Sequence, residues 1–78
     1  MSNKVTVNFN NYDKVKEFNF KITQFGSEID LIKGRFVIDA KSIMGVFALD
    51  LSEPIDVLIH SEDEEEIRRF NEVMEEFR

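Results

Sequence analysis

The sequence predicts an α+β domain, and three observations predict it. Lys4-Val5-Thr6-Val7-Asn8-Phe9 alternates polar and apolar side chains, the period of a half-buried strand. Val15, Phe18, Ile22 and Phe25, and again Ile67, Phe70, Met74 and Phe77, recur at three- and four-residue spacing, which gives two helices one apolar stripe each. Between those helices lie short apolar runs broken by Gly34 and Pro54, the pattern of strands and turns.

The elements follow in order. Asn10-Asn11 ends the first strand, because Asn favours turns and caps. A helix is expected from Asn11 to Phe25, capped by Asn11 or Asp13 and closed by Gly26 as its C′ residue. Phe20 falls opposite the apolar stripe, as an isolated exposed aromatic or as a contact for a partner. Glu28 to Ile32 and Arg35 to Asp39 read as a hairpin around Lys33-Gly34. A short helix is expected from Ser42 to Leu49, then a loop, Asp50-Leu51-Ser52-Glu53-Pro54, in which Pro54 blocks helix continuation. Ile55 to His60 is the fourth strand, with Ile55, Val57 and Ile59 on one face. Ser61-Glu62-Asp63-Glu64 has the form of a capping box for the last helix, Ser61 capping forward and Glu64 reaching back.

Composition sets bounds. Seventy-eight residues make one domain, 1–78, and eight Phe supply large areas for its core. There is no Cys, hence no disulfide framework and no Cys-based zinc site, in keeping with a reducing, cytosolic setting. No secretory signal opens the chain and no apolar run approaches the ~20 residues that span a bilayer. With a net charge of −6 and ten scattered Lys and Arg, nucleic acid and anionic membranes are disfavoured as partners.

The segment Lys41-Ser42-Ile43-Met44-Gly45-Val46 is the most informative. Its apolar residues, with Phe47 and Leu49, crowd too many faces for so short a helix to bury, so some reach the surface as a docking patch does. These six residues closely resemble the regulatory-serine segment of HPr, the histidine-containing phosphocarrier of the sugar phosphotransferase system. The order of elements over residues 4–77 agrees with that family. The resemblance implies an open-faced β-sandwich, β-α-β-β-α-β-α, with four antiparallel strands in the order 1-4-2-3 and three helices on one face.

The family's function rests on two sites. One is a histidine near the end of the first strand, followed by Ala-Arg-Pro, which carries phosphate to sugar transporters. Counted without gaps from Ser42, those positions fall on Asn11, Tyr12, Asp13 and Lys14, and none matches. An Asn amide does not carry phosphate as an imidazole does, and Asp13 stands where a guanidinium would bind it; a carboxylate repels the dianion. The other is the regulatory serine, matched by Ser42. In the family a dedicated kinase phosphorylates it, and in some Gram-positive bacteria the product binds a transcriptional regulator. A phosphoserine at a helix start is favoured by the free N–H groups and the dipole there. Ile43, Met44 and Phe47 match positions of the family's docking patch, with Phe47 where a smaller side chain is usual. From the residues alone, Ser42 reads as a cap worth about 1 kcal/mol, or as a cap and phosphorylation site together. Of Met44 and Phe47, one is expected to be buried and the other exposed.

The remaining chemistry is thin. His60 is the sole histidine and is expected as a surface residue at the sheet's edge, far from the carrier position. The run Glu62 to Glu66 reads as a solvated helix face, not a metal site, and no metal or cofactor is implied. No triad and no phosphate-cradling Gly-rich loop appears, so the chain is not expected to be an enzyme. Two functions follow, with an active phosphocarrier ranked third behind them. The first is a regulatory, partner-binding relative of HPr without carrier chemistry, its partner an HPr kinase, a transcriptional regulator or a transport component. The second is a constitutive interaction or oligomerisation module using the same patch.

Overall fold

The computed structural model describes residues 2–50 and 52–78; Leu51, expected in the loop after the short helix, lies outside the described residues. The elements run β1 (Lys4–Val7), α1 (Tyr12–Ile22), β2 (Ile29–Lys33), β3 (Phe36–Asp39), α2 (Ile43–Phe47), β4 (Ile55–Ile59) and α3 (Glu64–Met74), with a final 3-10 turn over Glu75–Phe77. The strands form one four-stranded antiparallel sheet in the order β1-β4-β2-β3. This is the open-faced arrangement that the resemblance implied.

The alternation of each strand sets which face is covered. Val5 pairs with Val57, and Val57 with Leu31, so one row of β-branched and aliphatic side chains crosses three strands on the buried side. Lys4, Thr6, Asp56 and Asp30 occupy the alternate positions on the other face, where Thr6 Oγ1 donates to Asp56 at 2.6 Å. Onto the apolar face pack Val15, Phe18 and Ile22 of α1 and Phe70 and Met74 of α3, all fully buried. Burying each such side chain contributes about 1.5–3 kcal/mol. Phe9, Phe18 and Phe77 meet edge to face, with centroids 4.9 to 6.1 Å apart. That cluster ties the end of β1, the middle of α1 and the C-terminal turn together.

Several boundaries differ from expectation, each for a local reason. β1 ends at Val7 because the Asn8 N–H leaves the sheet for the Phe77 carbonyl, at 2.7 Å, while Phe9 stays buried. Asn11, not Asp13, caps α1, its side chain accepting from the Lys14 N–H at 3.0 Å. α1 stops at Ile22 rather than running to Phe25. The Thr23 hydroxyl donates to the Phe20 carbonyl, and the N–H groups of Gln24 and Phe25 bond three residues back, which closes the helix without a left-handed glycine. Gly26 therefore does not act as the C′ residue, and among the described residues positive φ occurs at Gly34, in the hairpin turn, at 59°.

The last helix corrects the expected capping box. Its N-cap is Asp63, whose carboxylate accepts from the Glu65 N–H at 3.0 Å; the Ser61 hydroxyl accepts one residue too early, from Asp63 N–H. Glu66 is buried and Ile67 only half-buried, so the acidic run is not wholly a solvated face. The Glu66 carboxylate accepts from both the hydroxyl and the N–H of Ser27. Those bonds, with a further one from Ser61, hold its carboxyl below the ordinary range.

Candidate functional site

The segment between β3 and β4 is held in place by its neighbours before any function is considered. The Asn19 side chain of α1 donates to the carbonyls of Ala40 and Lys41, at 3.4 and 3.2 Å. The Lys41 ammonium donates to the carbonyls of Phe25 and Ser27, at 2.6 and 2.9 Å. These bonds fix the chain entering α2. Gly45 then lets the helix lie directly on β3, for a Cβ there would stand 2.9 Å from Ile38 Cγ2. Val46 points into the core and is fully buried.

What remains of α2 faces outward. Met44 is 80% exposed, and Ile43 and Phe47 are half-buried against the core. Phe47 is anchored by Tyr12, the first residue of α1, the two rings meeting edge to face at 5.3 Å. The result is an apolar surface of Ile43, Met44, Phe47 and Tyr12. Tyr12 was not anticipated as part of it. In the sequence it stands only among the four carrier-motif positions, and nothing local shows that the start of the first helix meets the end of the second.

Ser42 occupies the N-cap position of α2 and is exposed, but its side chain accepts no cap bond. The expected capping role of the hydroxyl is therefore not met. Its backbone carbonyl does open the helix, accepting from Val46 N–H at 3.0 Å. The helix is also shorter than the expected Ser42 to Leu49, only five residues. So few aligned peptide units supply a weak dipole.

The four carrier-motif positions sit at the start of α1. The Asn11 side chain is spent on capping that helix. Asp13 lies exposed in its first turn, where a carboxylate suits the positive end of the dipole. Lys14 pairs with Glu17 at 3.7 Å and lies over the Phe77 ring at 5.9 Å. Beside Asn11 is an open concavity of about 410 Å³, lined by Phe9, Asn10, Asn11, Tyr12, Leu49, Asp50 and Ser52. Its lining carries one carboxylate and no cation. Asp50 is held below the ordinary carboxyl range by the Ser52 hydroxyl and N–H and by Lys33, so it stays charged.

His60 is at the opposite end of the sheet. It follows β4 and is exposed, as expected of a surface residue at this end of the sheet. Its N–H donates to the Glu28 carbonyl, while the neighbouring Ile59 N–H donates to Asn3 at the start of β1. Its Nε2 lies 2.7 Å from Asp30, so the ring is partnered rather than free. Ser42, the Asn11 region and His60 are therefore not brought into one site; Asn11, Tyr12 and the α2 surface are. Among the described residues no helix is long and apolar enough to cross a membrane.

No protein-family pattern matches this chain, and no curated protein sequence matches it. Among solved structures it is similar to the crystal structure of HPr-C-His from Thermoanaerobacter tengcongensis, with a TM-score of 0.73 and 24% identity, over 96% of this chain and 92% of that one. At that identity the likeness establishes the fold, and the fold is that of HPr.

Proposed function

We propose that this protein is a regulatory, partner-binding relative of HPr that has no histidyl phosphocarrier activity and acts in the cytoplasm through the α2 surface. The observation that carries the reading is the pairing of an exposed apolar patch with a disabled carrier position. Met44 stands almost free of the body of the protein, while Asn11 is committed to capping and lines a concavity whose described residues offer no cation to hold phosphate. Contiguous exposed apolar surface, here Met44 and Tyr12 with part of Ile43 and Phe47, is what marks a protein contact. Phosphorylation of Ser42, one residue ahead of Ile43, would add about two negative charges beside that patch and change which partner docks. The exposed, uncapping hydroxyl supports access for a kinase. The partner is then an HPr kinase, a transcriptional regulator or a transport component.

Incubation with phosphoenolpyruvate and the first enzyme of the phosphotransferase system tests the loss of carrier activity. The protein should keep its mass, and an acid-labile phosphoryl adduct would overturn the reading.

The second reading, a constitutive interaction module on the same patch, is favoured by one observation. The α2 helix is only five residues long and the Lys41 ammonium is tied to Phe25 and Ser27, so little positive potential awaits a phosphate there. Light scattering of Phe47→Asp separates the two: loss of self-association supports the constitutive module.

A further inference from the structure

β3 is the outermost strand of the sheet, and its free edge is only partly protected. Among the described residues no strand pairs beyond it. The other edge, β1, is tied down at both ends by the C-terminal segment: Asn8 N–H bonds the Phe77 carbonyl and the Asn71 amide bonds the Ser2 carbonyl. Over Phe36 to Asp39 there is no Pro, no Lys and no bulge; only the strand's shortness, four residues, and the charge of Asp39 blunt the edge. Two large apolar residues there are exposed, Phe36 at 63% and Val37 at 62%.

The direction of the backbone groups follows from the ladder. Ala40 N–H donates to the Ile29 carbonyl across the hairpin, at 2.8 Å. Antiparallel pairing alternates between residues whose N–H and C=O face the partner strand and residues whose groups face away. Ile38 and Phe36 thus share the direction of Ala40, toward β2. Val37 turns both of its groups outward, and Asp39 turns its N–H outward; its carbonyl already accepts from Ser42 N–H at 3.0 Å.

The stretch Arg35-Phe36-Val37-Ile38-Asp39 is also complementary to itself when reversed. Laid antiparallel on a second copy about Val37, Val37 meets Val37 and Phe36 meets Ile38 within β3, while Arg35, the turn residue just before the strand, comes beside Asp39 at both ends. Opposite charges directly across a strand pair stabilise it. Among the described residues Arg35 makes no ion pair, while the Asp39 carboxylate accepts one bond, from the Lys41 N–H at 2.9 Å. We infer that the β3 edge is a self-association surface, on which a second copy of this chain pairs antiparallel about Val37 and continues the sheet across a two-fold axis. A contact of so few residues falls below the roughly 1,200 Å² of standard interfaces, so the dimer is weak and forms at high concentration. This inference is independent of the α2 surface and of Ser42.

Sedimentation velocity across about 10 μM to 1 mM tests it. The wild-type mass should rise with concentration from 9.2 kDa toward twice that value. Val37→Lys, at an exposed position, should remain monomeric throughout, as should Arg35→Asp and Asp39→Arg taken singly. An equimolar mixture of those last two variants should associate, because two carboxylates on one copy then face two guanidiniums on the other. Circular dichroism establishes that each variant is folded; if Asp39→Arg is not, the Val37→Lys comparison alone decides. A wild-type monomer at every concentration, or association that survives Val37→Lys, overturns the proposal. So does association abolished by Met44→Lys and not by Val37→Lys, which would place the contact on α2.

Discussion

Gly45 sits so close to Ile38 that its missing side chain is a packing requirement: a Cβ would stand 2.9 Å from Ile38 Cγ2. That methyl hangs on the branched Cβ of Ile38, whose χ1 is stiff, and has little freedom to retreat. Gly45→Ala should therefore destabilise the fold despite the better helix propensity of Ala. Overpacking costs about 1–3 kcal/mol and propensity returns about 1, so a net loss of roughly 1 kcal/mol is expected in chemical denaturation. Adding Ile38→Ala should make the alanine at 45 less costly than it is alone. Additive effects would show that the close approach carries no strain.

Glu66 makes stability depend on pH in a defined direction. Its carboxyl is held below the ordinary 4.5 by bonds from Ser27 and Ser61. A depressed value in the folded state means that the contribution is present above about pH 4.5 and is lost as pH falls through the folded-state value. Glu66→Ala should cost about 2 kcal/mol at neutral pH, the range for hydrogen bonds to a charged group. The difference from wild type should shrink on acidification, as urea titrations at a series of pH values would register. A difference that stays constant into the acid range would contradict the assignment.

Asp63 is the cap of the last helix, and the capping box around Ser61 is not formed. Asp63→Ala should lower stability by about 1 kcal/mol, and Glu64→Ala by less than about 0.5 kcal/mol. Thermal unfolding of the two variants gives the ranking, and the reverse ranking would restore the box.

Most of the fold was legible because its strands and long helices have clean periods. Val5 and Val7, Ile55, Val57 and Ile59, and Val15, Phe18 and Ile22 are all buried as their spacing requires. The helix ends were less legible, since they depend on which of several polar side chains wins a backbone N–H. Asn11 beats Asp13, Asp63 beats Ser61, and Thr23 closes α1 without Gly26. Glu66 looked solvated because its partner, Ser27, is 39 residues away. At the candidate site the excess of apolar residues on a short helix implied that one of Met44 and Phe47 reaches the surface, and packing decides that it is Met44. Tyr12 could not, because its place beside Phe47 is set by how two helices pack, not by local pattern.

The proposed switch at Ser42, beside the docking patch, is tested most directly by an intact-mass spectrum after incubation with an HPr kinase and ATP. The wild type should gain one acid-stable phosphoryl group and Ser42→Ala none. Because the Ser42 hydroxyl accepts no cap bond, Ser42→Ala should unfold within about 0.5 kcal/mol of wild type, so loss of the adduct would not reflect loss of the fold. An unmodified wild type, or an adduct that persists in Ser42→Ala, would contradict the account.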